Sequence, residues 1–360
     1  MADRELKSIE IEGYASIRSA RVDLGRLNVL IGANGAGKSN FVRVFELLGR
    51  LVEEDLGFFV GLNGGASALL NSGADHLRLA VTGAPGAYQA VLVPASNDQF
   101  IFAVEALDLG DHGMVELPRG GRETQLPMVT DAVGSAARLA DALSDCRVYH
   151  FHDTSRNAPV KQLVPTADNV ALRHDAGNLA AVLLALYDSD DPTDKAAYRR
   201  IVGAIRQVAP FFRDFVLRPE KSDRLRLRWR QNDSDAVFSA DQMSDGTLRF
   251  VCLATLLLHP RLPSLVVLDE PELGLHPYAV VQLAGLLRQA SVRSQVLIAT
   301  QSVTLMNQFE LDDLIVVERV DGASTFSRPD RQRLGAWLQE YSLGELWEKN
   351  LIGGRPGGHT

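Results

Sequence analysis

An apolar strand that runs straight into a glycine-rich turn and then a helix constrains this chain more than any other feature. The segment is Leu30-Ile31-Gly32-Ala33-Asn34-Gly35-Ala36-Gly37-Lys38-Ser39-Asn40. Glycines at 32, 35 and 37 let backbone N–H groups turn inward on phosphate oxygens with no Cβ in the way. Lys38 is then a point charge for the β- and γ-phosphates, and the Ser39 hydroxyl is left for Mg²⁺. Leu27, Val29, Leu30 and Ile31 read as a buried strand before the turn. Phe41, Val42, Val44, Phe45 and Leu48 recur behind it at helical spacing. Strand, loop and helix therefore come in the order that a nucleoside triphosphate site needs.

A second segment completes such a site. Ser264-Leu265-Val266-Val267-Leu268-Asp269-Glu270-Pro271 is a continuous apolar strand closed by two carboxylates. Asp269 is suited to Mg²⁺, and Glu270 to accepting a proton from an attacking water, because consecutive side chains leave a strand end in different directions. Upstream of that strand, Met243-Ser244-Asp245-Gly246-Thr247-Leu248 is a polar turn entering a helix. Ser244 reads as its N-cap, and the exposed N–H groups and positive dipole end make an anion site.

These pieces resemble the ABC-type ATPase heads of the RecF, SMC and OLD-like class. The resemblance also takes in the hairpin-like opening from Ile9 to Ala20, the Pro271-Glu272-Leu273-Gly274-Leu275-His276-Pro277 turn and the strand Gln295 to Thr300 with Gln301-Ser302. It implies an α/β P-loop head with an antiparallel β lobe and an inserted helical or lid region. It implies ATP and Mg²⁺ as ligands, with Gly32, Asn34, Gly35, Ala36, Gly37, Lys38, Ser39 and Asn40 on the nucleotide and Ser39 and Asp269 on the metal. Lys38, Glu270 and Gln301 take the catalytic positions. Two heads pair on ATP, so that Ser244 and Gly246 of one cap the γ-phosphate bound by the other. Relatives of this kind serve DNA repair, genome maintenance or anti-phage defence, often with a separately encoded partner such as a nuclease. This chain departs from them at Gln301, where a histidine is common: Gln donates a hydrogen bond but does not shuttle protons near neutral pH, so slow turnover is expected. The alternatives are an ATP-dependent interaction switch that does not hydrolyse and, with less support from the Gly246 segment, a transporter ATPase subunit.

About 230 residues separate Lys38 from Asp269, roughly twice what a minimal head uses, so something is inserted. The expected organisation is 1–50 for the first part of the head, 51–235 for the insertion and the rest of the first lobe, 236–352 for the second part, and 353–360 for a flexible tail. No heptad pattern is sustained, which removes a long coiled-coil arm. Leu77 to Val81, Tyr88 to Val93 and Phe100 to Leu107 read as strands. Asn178 to Tyr187 and Ala196 to Val208 read as helices.

Two further clusters stand in the insertion. His150, Phe151, His152 and Asp153 suggest a strand end with both histidines on one face, read as a metal cluster, a nucleotide-sensing junction or a satisfied strand end. Lys221 to Arg230 alternates with period two, placing Arg224, Arg226, Arg228 and Arg230 opposite Leu225, Leu227 and Trp229. That row reads as a contact for DNA, RNA or a partner, or as a solvated face paired with acids from residues 231–235.

The net charge of −8 argues against a surface that coats nucleic acid indiscriminately, while allowing a local basic patch. Cys146 and Cys252 stand singly in apolar stretches, so no disulfide framework is expected. With no apolar run near the roughly 20 residues of a membrane span and no signal-like opening, a cytoplasmic location without a membrane partner is expected.

Overall fold

A computed structural model describes residues 4–110, 113–130, 134–220, 222–335 and 337–354. The chain divides into two interleaved compact units. The first comprises 1–148, 263–267 and 294–360, and the second 149–262 and 268–293.

The first unit contains one six-stranded sheet and, up to Val267 and Val148 in its last two strands, most of a second. One is antiparallel, in the order Ile17–Asp23, Leu6–Tyr14, Leu77–Gly83, Gly86–Ala95, Gln99–Asp108, Met114–Glu116. Its Leu77–Gly83 and Gly86–Ala95 strands alternate buried and part-exposed residues, as a sheet with one face on a core must. The other has the order Ala323–Ser327, Leu314–Val320, Leu27–Ile31, Gln295–Thr300, Leu265–Asp269, Cys146–Tyr149. Leu27–Ile31 runs parallel to both of its neighbours. Every residue of Leu27–Ile31 and Gln295–Thr300 is buried, which explains why these strands are apolar apart from Asn28, Gln295 and Thr300; the Asn28 and Gln295 amides donate to Gly25 O and Leu6 O. The Lys38–Val52 helix buries Phe41, Val42, Val44, Phe45, Leu47, Leu48 and Leu51 in one core with Ile9, Leu79, Leu92 and Leu297.

In the second unit the helices Leu179–Asp188, Pro192–Val208, Asp245–Leu258 and Pro277–Ser291 pack in succession. Asp191 caps the Pro192–Val208 helix by accepting from Thr193 N at 2.8 Å, with proline at the first position, where no N–H is missed. A three-stranded antiparallel sheet, Phe212–Phe215, Arg228–Gln231 and Val237–Ser239, is centred on Trp229, which is 1% exposed. Among the described residues no helix is long and apolar enough to cross a membrane.

The strands and helices expected of the insertion are present, as is the opening hairpin. The cluster at His150 differs: its strand, Cys146–Tyr149, ends before either histidine. His150 N donates instead to His174 O in a loop, and Asp153 Oδ1 accepts from Ser155 N at 2.9 Å; hydrogen bonds from the Ser155 side chain and then its backbone lower the Asp153 pKa. Among the described residues no group of three or more His, Cys, Asp or Glu side chains is placed to hold a metal ion. Of the tail, Gly354 N donates to Glu318 Oε1 at 2.8 Å, and residues 355–360 lie outside the described residues.

Candidate nucleotide site

The glycine turn leaves the Leu27–Ile31 strand and closes on the Lys38–Val52 helix, with Gly37 at the N-cap in a left-handed conformation, φ 115°. Gly35, at φ 75°, is also left-handed. Gly37 is required for a second reason, since a Cβ there would collide with Ser324 Oγ. Lys38 is 5% exposed, and its Nζ donates to Gly32 O at 2.8 Å and Ala33 O at 3.0 Å, so its charge lies against the loop's own carbonyls. Asn34, Gly35 and Ser39 are exposed, Ala36 is buried and Asn40 is half-buried. The first helical turn carries no acidic side chain, which leaves its positive end free of competition from an internal anion.

Supports for this loop come from far away in the chain. Ser324 Oγ donates to Ala36 O at 2.6 Å, Asn40 Nδ2 donates to Ser16 Oγ at 2.7 Å, and Arg319 Nη1 donates to Gly35 O at 3.3 Å. None of Ser16, Ser324 and Arg319 stands out in sequence, because their partners lie up to 308 positions away. Gln301 is half-buried one residue beyond the Thr300–Ile31 pair, at the end of the strand beside the loop's own.

The acidic pair belongs to the second unit. Asp269 ends its strand half-buried, and its Oδ1 is buried without a hydrogen-bond partner. Such an oxygen is costly unless a cation or donor meets it, so the residue fits a Mg²⁺ ligand. Glu270 follows at φ 44°, a left-handed conformation that costs a non-glycine residue about 1–3 kcal/mol. Two successive tight turns follow, Leu273 N to Glu270 O at 3.1 Å and Leu275 N to Glu272 O at 3.0 Å. His276 then caps the Pro277–Ser291 helix by accepting from Tyr278 N at 3.3 Å.

Ser244 is the N-cap of the Asp245–Leu258 helix, its Oγ accepting from Thr247 N at 3.2 Å. The start of this helix is locked to the turn after Glu270. A Cβ on Gly246 would stand 2.5 Å from Gly274 O, and one on Gly274 would meet Arg249 Nη1. Arg249, a helix residue with no distinguishing pattern around it, donates from Nη1 to Leu273 O and from Nη2 to His152 O, both at 2.9 Å. Together with Tyr149, Phe151, His152, Asp269 and Glu270 it lines a hollow of about 10 Å³. The helix interior is strongly apolar, and burial pushes the Cys252 thiol up to about 12, so it is no nucleophile.

The arginine row keeps its alternation but not a single strand. Arg224–Leu225 pairs with Val164–Pro165, Arg228–Gln231 belongs to the Trp229 sheet, and Leu225, Leu227 and Trp229 are buried. Arg224 and Arg226 are exposed, while Arg228 and Arg230 are half-buried. Arg224 donates to Leu163 O at 3.1 Å and Arg228 to Arg218 O at 3.0 Å. The nearest acid to Arg228 is Glu220, at 3.8 Å, whereas Asp235 faces Arg213 at 3.9 Å, so residues 231–235 do not neutralise Arg228. Lys221 lies outside the described residues.

An antiparallel lobe, a mixed core sheet with a parallel centre and a glycine loop ahead of the first long helix define the fold of an SMC-like ABC ATPase head. Residues 147–307 match the family model described as "AAA domain, putative AbiEii toxin, Type IV TA system". Solved structures show the same fold at low identity. An Smc head bound to the C-winged helix domain of ScpA is 16% identical, with a TM-score of 0.55, over 95% of this chain and 99% of that one. An Smc head with an extended coiled coil, bound to the C-terminal domain of ScpA and derived from Pyrococcus furiosus, is 16% identical with a TM-score of 0.55, over 93% and 98%. A third, from Pyrococcus yayanosii, is 12% identical with a TM-score of 0.53, over 93% and 99%. No curated protein matches the chain in sequence.

Proposed function

We propose that the chain is a Mg²⁺-dependent ATPase of RecF/SMC-like type that pairs with a second copy on ATP and hydrolyses it slowly. The observation that carries this reading is the buried, partnerless Asp269 Oδ1 next to a strained Glu270, in a chain whose phosphate loop is fully formed.

In this reading Lys38 releases the Gly32 and Ala33 carbonyls to engage the β- and γ-phosphates, while loop N–H groups from Gly32 to Asn40 hold the remaining oxygens. Ser39 and Asp269 would hold Mg²⁺, whose charge would offset that of the phosphates. Glu270 accepts the proton of the attacking water, and Gln301 orients that water by hydrogen bonding. Ser244 and Gly246 present the helix start at Asp245 to the γ-phosphate of the second copy.

The family description and the low-identity likeness to heads solved with ScpA domains support a partner protein and a role in anti-phage defence or genome maintenance. A nuclease is the partner class favoured, and DNA contact through Arg224, Arg226, Arg228 and Arg230 accompanies it. Gln301 in place of a histidine favours a second reading, an ATP-dependent interaction switch that does not hydrolyse. Phosphate release by wild type and Glu270→Gln separates the two. Release lost in the variant, with ATP still bound, supports the ATPase; equal release above background from both removes it.

A further inference from the structure

We infer that Ser324 and Ser16 form a directional hydroxyl relay that orients the phosphate loop, so that they are positioning residues for the nucleotide; this rests on the ATP-binding reading above. Four groups stand in line: Asn40 Nδ2, Ser16 Oγ, Ser324 Oγ and Ala36 O, separated by 2.7, 2.7 and 2.6 Å. Either hydroxyl could donate in the central contact taken alone. The ends decide it. The Asn40 amide can only donate to Ser16, and the Ala36 carbonyl can only accept from Ser324, whose single proton is thereby used. Ser16 must therefore donate to Ser324, and the protons all point toward the loop.

Both hydroxyls are buried, Ser16 at 8% and Ser324 at 1% exposure, and Ser324 N also donates to Ser16 O at 2.7 Å. The relay acts through peptide planarity. With the Ala36–Gly37 peptide trans, fixing the Ala36 carbonyl on Ser324 turns the Gly37 N–H to the opposite side. The missing Cβ at Gly37 is what lets Ser324 Oγ come this close. Arg319, on the same hairpin as Ser324, holds the preceding carbonyl of Gly35.

The test is titration of a fluorescent ATP analogue with Mg²⁺ into full-length variants, with thermal unfolding in parallel. Ser324→Ala leaves the Ala36 carbonyl unpaired and is expected to weaken affinity about tenfold. Ser16→Ala leaves the Ser324–Ala36 bond in place and is expected to weaken it by less than about threefold. Ser324→Cys, a similar shape with a weaker donor, should fall between wild type and Ser324→Ala, and serves if the alanine variant does not fold. A lower Tm with unchanged affinity in Ser324→Ala or Ser324→Cys, or a larger loss in Ser16→Ala than in Ser324→Ala, overturns the relay alone. Failure of wild type to bind overturns the ATP-binding reading and, with it, the relay's role.

Discussion

The phosphate loop and the acidic turn are held in place by opposite means. Around the loop, side chains from distant segments reach in: Ser324 and Arg319, on strands, donate to the carbonyls of Ala36 and Gly35, and Ser16, in a hairpin turn, accepts from Asn40. Around the turn after Glu270, backbone meets backbone, with Gly246 against the Gly274 carbonyl and one guanidinium, Arg249, joining the carbonyls of Leu273 and His152. The first arrangement tolerates small losses, because several weak contacts share the load. The second leaves no room for an added atom. Loop changes should thus register mainly in nucleotide affinity, and turn changes in turnover and stability.

The sharpest way to break that contrast is Glu270→Gln. Turnover should fall by about 100-fold or more with ATP affinity within about threefold of wild type; a matching loss of affinity, read by equilibrium binding, would erase the distinction. Lys38→Ala should do the reverse, weakening ATP binding by about 10- to 100-fold. Next in size is Arg249→Ala. It removes two hydrogen bonds to carbonyls and should cost about 1–3 kcal/mol in denaturant unfolding and lower turnover, with affinity little changed.

A pH series sharpens the comparison from the second unit alone. His259 is 5% exposed, and burial holds its pKa below the ordinary value of about 6.5. The unfolded chain therefore takes up the proton first as pH falls. The stability contribution is complete above about pH 6.5 and is lost progressively below it. His259→Gln should flatten this part of the unfolding profile. The smallest effect is expected from Arg226→Glu: stability within about 0.5 kcal/mol, with weaker DNA retention at low salt if the row contacts phosphates.

The legible features were those whose cause is local. Gly37-Lys38-Ser39 sits on a contiguous motif, the all-buried strands are mostly apolar, and Ser244 caps its helix three residues from the N–H it satisfies. The illegible ones depend on tertiary approach. Ser324 is an ordinary strand serine until the fold brings Ala36 to it, and Arg249 is an ordinary helix arginine until the turn at Leu273 folds back. The strand expected through His150 and His152 failed for the same reason. His150 N finds its acceptor at His174, a loop residue that no periodicity connects to it.

Sedimentation of Glu270→Gln with and without saturating Mg·ATP tests the ATP-linked pairing most directly. Doubling of the sedimenting mass on adding ATP, absent in Lys38→Ala, is the predicted result. A mass unchanged at full nucleotide occupancy would contradict it.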